Sequence, residues 1–303
     1  MRRYTRLATV AHVGRTFFAF AIAVASGATA CGGGNAPAPA LGSSTTIAET
    51  PVMPGIVAHR GASYEAPENT LAALRLAWSM GAESSEIDVR VTADRQVVLM
   101  HDDTTRRTTG GAADRTIATA TLAELRALDV GSWKSERFRG ERVPTLGEAL
   151  DATPAGRMLF VEIKTGAADA EVIAAAILAA DPRRRQADVA LQAYDAEALA
   201  AVASRLPGVP AYWTVDPPSD GNGGARPYPA ELARAAAERG FTGVAVDHRA
   251  ADEPFVAAVA AAGLALDVWT VNDTAAIRAW RARGARWIET DHPGLATPAK
   301  EPP

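Results

Sequence analysis

Residues 85–103 read SEIDVRVTADRQVVLMHDD. Period-two alternation puts Glu86 and Asp88 on one face of a strand, with Ile87 and Val89 on the other. Two acids on one face of a strand that feeds a hydrophobic core mark either a solvated strand terminus or a face that lines a site. The same stretch holds a second strand-like run, VVLM, reached through RVTADRQ. Parallel strands need a crossover of about a dozen residues or more, so VVLM is expected to fold back as an antiparallel hairpin.

The hairpin decides the strand count. From Ile56 onward nine short apolar runs are visible: IVAHR, SSEIDV, VVLM, MLFVEIK, VALQAY, VPAYWTV, GVAVD, ALDVWTV and RWIETD. Amphipathic segments such as NTLAALRLAWSMG and DTAAIRAWRARG separate most of them, the alternation of βαβ units around a parallel sheet. Setting VVLM aside leaves eight strands over about 240 residues, the size of one (β/α)8 barrel. The expected fold is therefore α/β, a single (β/α)8 TIM-type barrel over residues 55–297, with a small insertion after the second strand at about 102–144. A doubly wound open sheet competes, and counting alone does not reject it. Asn69 or Thr70 is expected to cap the first helix, and Asp273 or Thr274 the last.

The remainder of the chain reads as delivery. Its 303 residues carry a formal net charge of -4, but Arg2, Arg3, Arg6 and Arg15 lie in a leader free of acids. Without residues 1–30, 27 basic residues face 35 acidic ones, which argues against nucleic acid as a partner. Arginines, the apolar run TFFAFAIAVASGA and small residues before Cys31 follow the order of an export signal. ATAC resembles the bacterial lipoprotein box, with Ala28 where leucine is usual, so Cys31 is the expected lipid anchor and the only expected contact with a membrane. Residues 31–54 are Gly/Ala/Pro/Ser-rich and read as a flexible linker, and residues 298–303 as a disordered tail. Cys31 is the sole cysteine, which excludes disulfides within the chain.

Close carboxylates repel unless a cation or proton sits between them, and a hard divalent ion with oxygen ligands resolves the conflict. VEIK adds Glu162 and Lys164 with the same two-residue spacing. His59 and Arg60 end the first strand, and Arg60 offers a planar fork for phosphate or carboxylate. His101 ends the hairpin strand ahead of Asp102. Two histidines beside a carboxylate cluster can divide general-base and general-acid work; His12, His248 and His292 have no comparable setting.

These residues resemble the glycerophosphodiester phosphodiesterases. HRG at His59, PENT at Pro67, EIDV at Glu86, VVLMHD at Val97, VPTL at Val143, VEIK at Val161, WTVN at Trp269 and TD at Thr290 occur in that family's order. The resemblance implies the barrel and its insertion. It implies one divalent ion, Mg²⁺ or Ca²⁺, on Glu86, Asp88 and Glu162, and an acid–base pair of His59 and His101. Arg60 and Lys164 would bind phosphate, and Trp269 and Asn272 the glycerol or head group. Ala193-Tyr194 departs from the usual Ser-Phe, and Gly147 from the usual Glu. The expected reaction is hydrolysis of a small glycerophosphodiester to sn-glycerol 3-phosphate and an alcohol. Phospholipase D-type action on lysophospholipids or sphingolipids, a non-catalytic phosphodiester-binding barrel, and an aldolase- or enolase-type barrel are the alternatives.

Overall fold

The computed structural model describes residues 55–179 and 188–296. The expected export signal, Cys31 with its linker, and the tail at 298–303 lie outside the described residues. Among the described residues nine strands follow one another: β1 (Gly55–Ala58), β2 (Ser84–Val91), β3 (Val97–Leu99), β4 (Met158–Ile163), β5 (Val189–Ala193), β6 (Ala211–Val215), β7 (Gly243–Asp247), β8 (Ala265–Trp269) and β9 (Trp287–Thr290). They form one sheet in the order β1-β9-β8-β7-β6-β5-β4-β2-β3, and β1 also pairs with β2. That last pairing closes eight parallel strands into a barrel and excludes the open sheet, whose edge strands would stay apart. β3 alone runs antiparallel, with Leu99 opposite Val89.

Among the described residues the α-helices are α1 (Leu71–Ser79), α2 (Leu122–Arg126), α3 (Leu146–Ala152), α4 (Ala170–Ala179), α5 (Ala196–Ala203), α6 (Glu231–Glu238), α7 (Glu253–Ala261) and α8 (Thr274–Ala282). All but α2 connect successive barrel strands. Side-chain oxygens of Thr70, Thr145, Asp195, Asp252 and Asp273 accept first-turn N–H groups that the helix itself leaves free. Thr70, not Asn69, caps α1. α2 belongs to the segment between β3 and α3, which packs Ile117, Leu125, Val130 and Val143 against Val98 and Met100.

Strand parity sorts the core into two parts. Outward residues such as Ile87, Leu159, Val161, Leu191, Val246, Val268 and Ile288 pack on Leu74, Ile173, Leu199, Val259 and Ile277 of the helices. Inward residues Val57, Phe160, Ala190, Tyr212, Ala245 and Trp287 fill the barrel floor. The Phe160 ring lies 5.5 Å from Tyr212 and 5.2 Å from Trp287, and the Trp287 indole donates to the Tyr212 hydroxyl at 2.9 Å. These rings fit because two strand neighbours lack a Cβ. One built on Gly55 would lie 2.1 Å from Trp287, and one on Gly243 would lie 2.7 Å from Tyr212. Above this floor the interior turns polar towards the C-terminal ends of the strands, where barrel enzymes place their chemistry. Among the described residues, no helix is long and apolar enough to cross a membrane.

Candidate active site

Glu86 and Asp88 point into the barrel from the middle of β2 rather than from its end, because β2 runs on past the barrel to pair with β3. Asp88 sits opposite Glu162 on β4, which sits opposite Gln192 on β5. One ligand atom each from Glu86, Asp88 and Glu162 lies within 4.8 Å of the others, and all three residues are buried. Glu86 Oε2 accepts the Arg60 backbone N–H at 2.9 Å, whereas Oε1 is buried with no hydrogen-bond partner. Burial and the facing acids Asp88, Glu289 and Glu162 push Glu86 well above its ordinary pKa, and burial with Asp88 raises Glu162. Burial acts the same way on Asp88, but Arg60 and Lys164 outweigh it and hold Asp88 below the usual range. Crowded carboxylates around a partnerless oxygen are a donor set that fits one hard divalent ion.

Two cations flank this cage. Arg60 Nε lies 3.1 Å from Asp88 Oδ2, and Lys164 Nζ lies 3.1 Å from Asp88 Oδ1 and 2.7 Å from Glu162 Oε1. The turn that aims Arg60 is tight: Arg60 and Gly61 both have positive φ, 55° and 81°, and a Cβ on Gly61 would lie 2.6 Å from Ala73. Asn69, also at positive φ, clamps Asp88 from both sides. Its amide donates to Oδ2 at 2.7 Å and its carbonyl accepts the Asp88 N–H at 3.0 Å.

Each histidine has its own carboxylate. His59 Nδ1 lies 2.7 Å from Asp291 Oδ1, and His101 Nδ1 lies 2.7 Å from Asp102 Oδ1. Both acids sit at a pKa of about 2: Asp291 because its bond to His59 overcomes burial, Asp102 chiefly through Arg107. Each is therefore an acceptor, so each histidine carries its proton on Nδ1 and leaves Nε2 for chemistry. Their environments differ. Burial penalises charge on His59, yet Asp291 and Glu289 outweigh it and its pKa is raised; burial, with Arg60 and Lys164, lowers that of His101.

His59, Arg60, His101, Glu162, Lys164 and Trp269 line one cleft of ≈ 130 Å³, together with Gln192, Tyr194 and Glu289. Glu86 and Asp88 do not line it themselves, but each has a ligand atom within 4.8 Å of one on Glu162, which does. Asn272, expected at the substrate, has its amide taken up by Asp291 Oδ2 at 2.6 Å and so braces the partner of His59. Sequence reasoning missed Asn69, Asp291 as a histidine partner, and the floor acids Asp267 and Glu289. Gln192 Nε2 donates to both floor acids at 2.8 Å. Burial pushes Asp267 up to about 7. The inward parity of ALDVW and WIET was the available signal for this pair.

A closed (β/α)8 barrel with a carboxylate cage, two cations and two braced histidines at its mouth has the makings of a phosphoester enzyme. The chain belongs to the glycerophosphoryl diester phosphodiesterase family, whose sequence model matches residues 59–295. A glycerophosphodiester phosphodiesterase of Bacillus subtilis is 28% identical over 256 residues, 79% of this chain and 84% of that one. One from Caldanaerobacter subterraneus is 42% identical over 112 residues, 37% of this chain; that stretch spans only 45% of the relative's own length. Among solved structures, a phosphodiesterase of Oleispira antarctica in complex with the product sn-glycerol-3-phosphate matches with a TM-score of 0.70 and 29% identity, covering 80% of this chain and 94% of that one.

Proposed function

We propose that the protein hydrolyses glycerophosphodiesters to sn-glycerol 3-phosphate and an alcohol, using one divalent ion and two histidines. One observation carries this reading: two carboxylate-braced histidines share a cleft with Arg60, Lys164 and Glu162. The product bound to the Oleispira phosphodiesterase supports the substrate class.

A phosphodiester is anionic, so attack on phosphorus requires its charge to be offset; Arg60 and Lys164 supply fixed positive charge for that purpose. Mg²⁺ or Ca²⁺, held by Glu86, Asp88 and Glu162, would add Lewis-acid stabilisation of the phosphoryl oxygens. His101, its pKa lowered, suits the general base that takes a proton at Nε2 from a water or from the substrate's own hydroxyl. His59, its pKa raised, suits the general acid that delivers a proton to the departing alkoxide. Asp102 and Asp291 hold the two rings and fix their tautomers. Purified folded chain incubated with glycerophosphocholine and either metal should release sn-glycerol 3-phosphate; absence of that product with both metals overturns the reading.

The leader and linker support export to a bacterial cell envelope with attachment through Cys31. The mass of the processed N-terminus tests this, since an unmodified Cys31 thiol in envelope-extracted protein rejects the anchor.

A further inference from the structure

The β3–α3 segment does more than cover one side of the barrel mouth. Its first 3-10 turn, Arg107–Thr109, places the Arg107 guanidinium between two carboxylates. Arg107 Nε and Nη2 donate to Asp102 Oδ2 and Oδ1 at 2.8 and 3.0 Å. Its Nη1 and Nη2 donate to Glu68 Oε2 and Oε1 at 2.5 and 2.9 Å. Both contacts are forked, a geometry that fixes the orientation of the carboxylates as well as attracting them. Each carboxylate then passes the constraint on. Asp102 Oδ1 also meets His101 Nδ1, and Glu68 Oε1 also accepts from Arg60 Nη1 at 3.0 Å.

We propose that Arg107 is a positioning residue for the reaction, setting His101 through Asp102 and Arg60 through Glu68. The inference rests on the function proposed above and adds a residue that touches neither the cleft nor the carboxylate cage. A lysine could meet one of these carboxylates but could not fork onto both. The Arg107 side chain is 41% exposed, and when it is replaced Glu68 keeps its bond to Arg60 and Asp102 its bond to His101. Lys134 and Arg137 bind backbone oxygens of Ser63 and Glu65, and so continue to fasten the segment when Arg107 is changed.

The test is a set of steady-state measurements on the full chain with glycerophosphocholine and saturating Mg²⁺. Asp102→Asn should lower kcat, Glu68→Gln should raise KM, and Arg107→Gln should do both, each by about tenfold or more. Arg107→Lys should recover only part of the loss, and added guanidinium should restore activity to Arg107→Ala but not to Asp102→Asn. In the double variant Arg107→Gln/Asp102→Asn, kcat should fall no further than in the worse single variant, because both act on one ring. Kinetic constants of Arg107→Gln within twofold of wild type, with melting temperature the only change, would assign Arg107 a purely structural role. Fully additive losses in the double variant would likewise reject the coupling. An inactive wild type in the same assay would instead defeat the functional reading.

Discussion

Replacing Asn69 separates two things that one residue does at the floor of the site. Asn69 makes two short hydrogen bonds to Asp88, one of them to its charged carboxylate, and does so at a φ of 57°. Removing the amide deletes a charge-assisted bond worth about 1.5–3 kcal/mol and strands the buried Asp88 N–H at a cost of about 1–3 kcal/mol. Alanine keeps a Cβ in the left-handed region but, unlike asparagine, has no polar side chain that favours it there. Asn69→Ala should therefore lose roughly 2.5–6 kcal/mol, a large share of the 5–15 kcal/mol typical of a domain. Asn69→Gly loses the same bonds but escapes the left-handed penalty, so it should sit about 1 kcal/mol above alanine. Urea unfolding in EDTA reads both values. If the two variants are equally stable, or if either loses less than about 1 kcal/mol, then Asn69 is not the strained clamp described.

Two further variants test the barrel interior. Asp267 folds with its pKa raised to about 7, so its contribution to stability is complete below the ordinary carboxylate pKa and is lost as pH rises through about 7. Linkage puts the full loss at no more than about 4 kcal/mol; urea midpoints in EDTA should fall between pH 4.5 and 7.5 for wild type and less steeply for Asp267→Asn, and parallel slopes would refute the assignment. Gly243→Ala would press a Cβ to 2.4 Å from the Ala265 carbonyl and 2.7 Å from the Tyr212 ring. It should destabilise by about 1–3 kcal/mol in the same assay, whereas an unchanged midpoint would mean that the floor is less tightly filled than its distances imply.

How much of this was legible in the sequence follows from what alternation can and cannot encode. The short RVTADRQ link forced a hairpin, and removing it gave the eight parallel strands that close through β1 and β2. Period two also placed Glu86, Asp88 and Glu162 on inward faces. It did not say how far along the strand they sit, because the extension of β2 beyond the barrel depends on β3. Asn69 looked like a helix cap, since Asx residues before a helix usually are; its left-handed backbone turns the amide to Asp88 instead. Asn272 lies at a strand end, as substrate contacts often do, yet Asp291 takes its amide. Asp267 and Glu289 read as isolated acids in apolar runs, and only closure of the barrel brings them to the shared amide of Gln192. Arg107 carried no periodic signal, because the loop that presents it has none.

The central claim is that the carboxylate cage serves phosphodiester hydrolysis through a divalent ion. Its most direct test strips the purified chain with EDTA and restores Mg²⁺ or Ca²⁺ in steps while sn-glycerol 3-phosphate is measured. Activity should vanish on stripping and return with the ion, and Glu162→Gln should need at least about tenfold more metal to reach half of its own maximum. Undiminished product release in excess EDTA would contradict the account.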